Sequence, residues 1–384
     1  MSRVGTPNGA SGVRYVGYLG ESTGYGQAAR DHLLALSRSG VRVGARAITI
    51  ADGKLCELSP DPQLFPEVAR LSAQAAPYDT VVVHTPPYSF ESAREPGRRN
   101  IGVVAWETET LPRSWRAPVR AMDEIWVPST FCVSAFQAVT SAPVHVIPHP
   151  VAAPVARERA FPGIPDDVFV FASIFEWQDR KHPEALVRAF RRAFAGKKDV
   201  ALVLKVGLRF GGNPRTLLRT LRKLLLPTPW RSPPIYVLEG SDTSRGVVEQ
   251  LLARADAYVS LHRAEGFGLC MAEAMALGKP VVATGYSGNL EYMDAESAFL
   301  VDYELVPIKQ RLSFWEYFEP GMRWAEPRIE HAIEQLRRCA YDPAVRQRIA
   351  ERGQANVAEL LNPERVGRLM RARIEAGASA ARAS

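Results

Sequence analysis

The stretch Ala257–Met293, AYVSLHRAEGFGLCMAEAMALGKPVVATGYSGNLEYM, constrains the fold more than any other part of the chain. Tyr258, Val259 and Leu261 are apolar and β-prone, which predicts a buried strand. His262–Phe267 is a polar, glycine-containing turn, and residues 268–277 read as a helix closed by Gly278 as its C-cap. Lys279 follows, and Pro280–Thr284 reads as the next strand. The result is a strand–loop–helix–strand unit with Glu265 in the loop at the helix entrance. Backbone N–H groups and the positive end of the helix dipole converge there, which suits a phosphate. Glu273, eight residues on, lies about two turns into the helix and can face the same cleft. A carboxylate beside a phosphate is repelled by it, but it accepts hydrogen bonds well from sugar or ribose hydroxyls. The stretch therefore predicts a ligand carrying both phosphates and hydroxyls. Two solvated glutamates on an ordinary amphipathic helix are the competing reading.

Glu265-Gly-Phe-Gly-Leu-Cys-Met-Ala-Glu273, with its continuation through Thr284, resembles the E-x7-E motif of the retaining nucleotide-sugar glycosyltransferases of family 4, which have the GT-B architecture. The resemblance implies Glu265 at the donor sugar's hydroxyls and Glu273 at the ribose. It also implies donor contacts from Gly266, Phe267, Gly268 and Leu269 between them.

At 384 residues the chain is long enough for two domains with full cores. Its 46% hydrophobic content describes a globular protein. The net charge of +7 fits an anionic substrate or a peripheral contact with an acidic membrane surface. There is no basic low-complexity arm, which argues against nucleic acid as a partner. Cys56, Cys132, Cys270 and Cys339 have no C-x-x-C or metal spacing and read as reduced thiols, so a cytoplasmic location is expected. No apolar run is long enough for a transmembrane helix, and the polar first residues do not read as a signal peptide.

In the first half, Arg14–Leu19 reads as a strand followed by GlyGluSerThrGlyTyrGlyGln and a helix, the arrangement of a phosphate cradle. The glycine spacing is not G-x-G-x-x-G, so the dinucleotide fingerprint fails. The resemblance carries Gly24 and Gly26 over as donor-phosphate residues; a tight turn is the alternative for each. Thr80–His84 is another strand, and its terminal His84 sits where open α/β sheets bind ligands. The family often places a histidine there, near the transferred sugar, where it could donate a hydrogen bond; a residue that merely caps the loop is the alternative. After the strand Asn100–Ala105, the segment WETETLP resembles acceptor-side segments of some relatives, with Glu107 and Glu109 edging the cleft; a surface loop is the alternative. ValHisValIleProHisPro at 144–150 resembles the family's interdomain junction, except that Pro150 stands where glycine is common.

The proline-rich 151–166 reads as a linker, and Val168–Ile174 as the first strand of a second domain. Arg180 and Lys181 lie just before a helix and aim at the cleft, where two cations complement a diphosphate. In the family the arginine stands several residues earlier, near Phe175 here, so Lys181 transfers more directly than Arg180. A solvated charge pair is the alternative. Residues 209–231 are basic, with a helix expected at Leu217–Leu226, and Asp242 or Thr243 is expected to cap another. TyrSerGlyAsnLeuGlu at 286–291 resembles a G-G-x-x-E turn with Ser287 in place of the first glycine; N–H groups at Gly288, Asn289 and Leu290 would serve the donor. Residues 314–324 are aromatic and receive no assignment, and the terminal Ala/Arg/Ser tail is expected to be disordered.

The expectation is an α/β protein of GT-B type, two Rossmann-like domains facing each other across a cleft. Residues 1–152 would form the acceptor-side domain and 153–361 the nucleotide-sugar domain, with 362–384 crossing back to the first domain. The implied reaction moves a sugar, with retention, from a nucleotide diphosphosugar to an acceptor hydroxyl. GDP-mannose is the first donor considered, on a likeness of 257–307 to polysaccharide and lipopolysaccharide mannosyltransferases, and UDP-sugars the next. A glycan, a lipid-linked saccharide or a small molecule would accept it. The resemblance implies no cofactor and no bound metal, which fits the lack of a D-x-D segment placed to hold a cation and the presence of Arg180 and Lys181 to balance the diphosphate. An NAD-dependent oxidoreductase and a catalytically silent sugar-nucleotide binder are the alternatives.

Overall fold

The computed structural model describes residues 12–51, 54–74, 77–152, 163–207, 232–239, 245–308 and 317–383. The basic segment 209–231, the Asp242/Thr243 cap and most of the proline-rich linker lie outside the described residues.

Two sheets organise the chain. The first runs β1 (Val13–Gly17), β2 (Val43–Ala51), β3 (Lys54–Glu57), β4 (Thr80–His84), β5 (Arg99–Val103), β6 (Glu124–Val127) and β7 (Val144–Val146). Their spatial order is β3-β2-β1-β4-β5-β6-β7, parallel throughout except for β3, which returns antiparallel against β2. The second sheet takes β8 (Phe169–Glu176), β9 (Val200–Gly207), β10 (Ile235–Glu239), β11 (Ala257–Ser260), β12 (Val281–Thr284) and β13 (Phe299–Val301) in the order β10-β9-β8-β11-β12-β13, all parallel. Every residue of β4, β6, β9 and β12 is buried. Helices cover both faces of such strands, which explains why they read as apolar runs without alternation.

Strand order reverses between β1 and β4 in the first sheet and between β8 and β11 in the second. Crossover loops diverge at such points and leave a crevice at the carboxyl ends of the strands. His84 ends β4, and the chain leaving β1, β8 and β11 leads to Gly24, to Arg180 and Lys181, and to Glu265.

Two additions lie beyond the sequence reading. β3 makes a hairpin with β2, and β14 (Tyr303–Pro307) pairs antiparallel with β15 (Arg323–Pro327). The second hairpin forms an arm that reaches the first domain. Ile308, Phe318, Met322 and Trp324 share an apolar cluster with Trp106, Trp115 and Met122, and the Arg113 amide donates to Glu319 at 2.7 Å.

The C-terminal helix Pro363–Ala383 buries Val366, Met370 and Ile374 against Leu33, Leu36 and Val43 of the first domain. Arg99 donates to the carbonyl of Ile374 at 3.1 Å and pairs with Glu124. The tail expected to be disordered continues this helix to Ala383. Its Ala/Arg composition favours helix once the preceding turns are anchored by burial. No helix among the described residues is long and apolar enough to cross a membrane.

Candidate functional site

A cavity of about 1030 Å³ opens between the carboxyl ends of the two sheets. Its second-domain wall includes residues of the Ala257–Met293 stretch together with the β8 exit loop and Arg245. The loop after β11 approaches the first domain so closely that a Cβ on Gly266 would lie 2.8 Å from that of Ala105. Ser129 fixes the crossing by donating to the Gly266 carbonyl at 3.0 Å. Gly268 starts the helix Leu269–Ala276 at φ +87°, a conformation that suits glycine.

Glu265 is 7% exposed, with Lys181 paired to its Oε1 and Arg180 3.5 Å from its Oε2. Arg180 also reaches Glu107, 3.0 Å away on the opposite domain. Burial alone would raise the Glu265 pKa, but the Lys181 and Arg180 charges outweigh it and hold the carboxyl at about 2. Burial also raises the pKa of Glu107, and there Arg180 only partly offsets it. The result is an alternating carboxylate–guanidinium–carboxylate–ammonium cluster across the cleft. A diphosphate and a polyhydroxyl group arriving together could take over both halves of it.

Glu273, on the helix Leu269–Ala276, is buried and paired with Arg245 through Oε1. Its Oε2 has no partner among the described residues. Burial raises the Glu273 pKa against the opposing charge of Arg245. Asp31, on the helix Gly24–Arg38 of the first domain, lines the cavity nearby. Burial, with a further push from the Glu273 charge, lifts it to about 7.

On the first-domain side His84 ends β4, is 1% exposed, and shares a 2.7 Å hydrogen bond between Nδ1 and the Tyr15 hydroxyl. Only Nε2 is therefore left to meet a ligand. Burial and the neighbouring His149 hold the ring neutral, well below the usual histidine range. His149 stacks on it at 5.8 Å and meets His32 Nε2 at 3.1 Å.

The structure brings Gly24, His84, Glu107, Arg180, Lys181, Glu265, Gly266, Phe267, Gly268, Leu269 and Glu273 to the wall of one cavity. It does not bring the other expected residues there. The Gly26 amide donates to the Thr23 hydroxyl at 2.9 Å as part of the helix cap, so it has no N–H for a phosphate. Gly26 is instead required by packing, since a Cβ would lie 2.8 Å from the Tyr18 carbonyl. Gly288 donates to the Glu265 carbonyl at 2.9 Å, and Leu290 donates to Ser287 at 3.1 Å. Asn289 is fully buried, with Nδ2 on Thr284 and Oδ1 beside His262. This turn supports the Glu265 loop from behind and does not line the cavity. Ser287, at φ 78°, accepts from the Glu265 amide at 2.9 Å. Glu109 is exposed and lies off the cavity, because the chain turns outward after the buried Thr108.

Arg245, Asp31 and Gln178 are cavity residues that the sequence reading did not single out. Arg245 and Asp31 are ordinary helix-surface residues by pattern and gain their place only through packing. Gln178 carried a weak signal, lying in the β8 exit loop two residues before Arg180. It is 7% exposed, and neither polar atom of its amide has a partner among the described residues.

Residues 166–307 match the family model described as Glycosyl transferases group 1. No curated protein matches the sequence. Among solved structures, sucrose-phosphate synthase from Thermosynechococcus elongatus superposes with a TM-score of 0.68 at 16% identity, over 97% of this chain and 100% of that one. The α,α-trehalose 6-phosphate synthase of Burkholderia multivorans gives 0.66 at 14%, over 98% of each chain. HepE from Anabaena, solved with UDP and glucose, gives 0.61 at 15%, over 95% of this chain and 100% of that one. At these identities the likeness establishes the α/β GT-B fold over the length of the chain.

Proposed function

We propose, from a GT-B fold whose second domain is of the group 1 glycosyltransferase type, that this protein transfers a sugar from a nucleotide diphosphosugar to an acceptor hydroxyl with retention of configuration. The observation that carries the reading is Glu265, buried and ionised between Lys181 and Arg180 at the switch point of the second sheet. In this account the donor's diphosphate takes the two cations and its sugar hydroxyls take Glu265. Glu273 accepts from the ribose through its unpartnered oxygen. The bond from the anomeric carbon to the phosphate oxygen breaks, and the acceptor oxygen bonds that carbon from the same face. The acceptor's proton passes to the departing phosphate, whose charge Lys181 and Arg180 stabilise. His84, neutral and fixed by Tyr15, offers Nε2 to the transferred sugar.

Two donor classes come first. UDP-sugars are favoured by the fold relatives solved with UDP, and GDP-mannose is the alternative suggested by the sequence resemblance of 257–307 alone. Thermal-shift measurements with UDP- and GDP-sugars, followed by NMR of the fresh product, test the reading. A ligand that binds only the native state raises apparent stability. An inverted linkage, or no stabilisation by any nucleotide sugar, would sink it.

A further inference from the structure

We infer that Glu107 of the first domain is a specificity-determining residue that disfavours the nucleoside diphosphate product against the nucleotide-sugar donor, and so speeds product release. The inference rests on the transferase reading above and concerns the same cavity. Glu107 lines that cavity and places Oε1 3.0 Å from Nη1 of Arg180. It has no second ion pair among the described residues, whereas Glu265 has Lys181 as well as Arg180. The Nε and Nη1 N–H groups of Arg180 make no hydrogen bond among the described residues, so they remain for phosphate oxygens. A diphosphate that takes Arg180 therefore leaves Glu107 as a negative charge with no cation of its own.

The backbone that carries Glu107 is held from both domains. Its neighbours Trp106 and Thr108 are buried, and the Trp106 indole N–H and the Thr108 hydroxyl both donate to the Thr110 carbonyl, at 2.8 and 3.0 Å. Trp106 packs on Trp115 at 4.6 Å and on Phe318 of the hairpin arm at 5.4 Å. The Thr108 hydroxyl lies 3.6 Å from Sδ of Met322 in the same arm. A carboxylate on so fixed a loop stays beside the phosphates when a ligand binds. Transfer breaks the bond from the anomeric carbon to the phosphate oxygen, and the acceptor's proton passes to the departing phosphate. That phosphate gives the proton up to water above its second pKa of about 6. The product then carries one negative charge more than the donor. A partly buried carboxylate is weakly screened, and its repulsion grows with the charge of the ligand. Glu107 therefore opposes the product more than the donor.

The test is calorimetry on the full-length protein with UDP and its β-methyl ester, and with GDP and its β-methyl ester. The methyl cap removes the extra charge of the product and adds no sugar contact. Burial and the charge of Glu265 push the Glu107 carboxyl up against Arg180 and Lys181, so the measurement is made at pH 8, which favours the ionised form of both carboxyl and phosphate. Glu107→Gln keeps the shape and removes the charge. It should tighten binding of the nucleoside diphosphate about tenfold and of its methyl ester about threefold. Glu107→Asp keeps the charge and should keep the native ratio between the two ligands. Equal tightening of both ligands in Glu107→Gln, no change, or a loss of affinity would overturn this role and leave the transferase reading standing. Failure of all four ligands to bind the native protein would overturn the reading and the role together.

Discussion

Arg245 donates to Oε1 of Glu273, so one oxygen of this carboxylate is engaged before any ligand arrives and the other is free. On the proposed role of Glu273, only one charge-assisted hydrogen bond to a ribose hydroxyl is then new on binding, with a worth of about 1.5–3 kcal/mol. Glu273→Ala should weaken binding of the bare nucleoside diphosphate by about 10- to 150-fold, measured by calorimetry. Arg245→Ala tests the same geometry from the other side. It leaves a buried carboxylate unpaired, and the protein should melt at a lower temperature. Unchanged nucleotide affinity in Glu273→Ala would remove the ribose role.

Glu265 should behave differently, because its partners are the cations and the proposed sugar. Glu265→Gln should suppress turnover while leaving free-nucleotide affinity within about threefold. The pH dependence follows from the carboxyl's depressed pKa of about 2. A depressed carboxyl contributes stability that is fully present above its unfolded value near 4.5 and is lost as pH falls toward the folded value. The stability difference between the native protein and Glu265→Gln should therefore be flat above pH 5 and shrink between about pH 4.5 and 2. Urea unfolding at several pH values reads it directly. A difference that does not move over that window would contradict the ionised cluster.

The two-sheet fold was legible because a buried parallel strand announces itself as a short apolar run and its exit loop by glycine and charge. The placement of Glu265, Glu273 and Lys181 on the cavity wall was legible for a related reason: each sits within a few residues of a strand end or helix start that fixes its direction. Gly26 and Gly288 were misread because a glycine-rich turn looks the same whether its N–H groups face a ligand or satisfy the turn itself, and here both are spent internally. Arg245 was invisible because its pairing with Glu273 depends on how two helices pack. The 303–327 arm gave no period to read, since β14 and β15 are short and their partners lie far apart in sequence.

Ser287 holds a backbone conformation, φ 78° and ψ −146°, that glycine adopts at little cost and serine does not. Its hydroxyl is the return, accepting the Glu265 N–H at 2.9 Å. Ser287→Ala keeps the strain and orphans a buried donor, so it should destabilise by about 1–3 kcal/mol. Ser287→Gly relieves the strain while losing the bond and should cost about 1 kcal/mol less than alanine. Urea unfolding of the three proteins separates these cases. Equal losses for glycine and alanine would show that the backbone there is unstrained.

Asp31 ties pH to both stability and donor binding. Its folded pKa of about 7 stands above the ordinary aspartate value of 3.8, raised first by burial and then by Glu273. Between those two values the native state binds more protons than the unfolded chain, so stability falls as pH rises through the window and levels off above it. Asp31→Asn keeps an oxygen to accept from Gln27, which now reaches Asp31 at 2.8 Å, and removes the charge. The variant should match the native protein near pH 4 and be more stable at pH 8, by about 1 kcal/mol or more. The ionised Asp31 also adds a negative charge to a cavity proposed to take a diphosphate. A nucleotide sugar is a diphosphate diester whose charge does not change between pH 6 and 8. Its affinity should therefore weaken about three- to tenfold over that range in the native protein and stay level in Asp31→Asn. Melting curves and calorimetry at pH 6 and 8 read both effects. A variant that gains nothing at pH 8 would place the Asp31 carboxyl in solvent, ionised at every pH where the protein works.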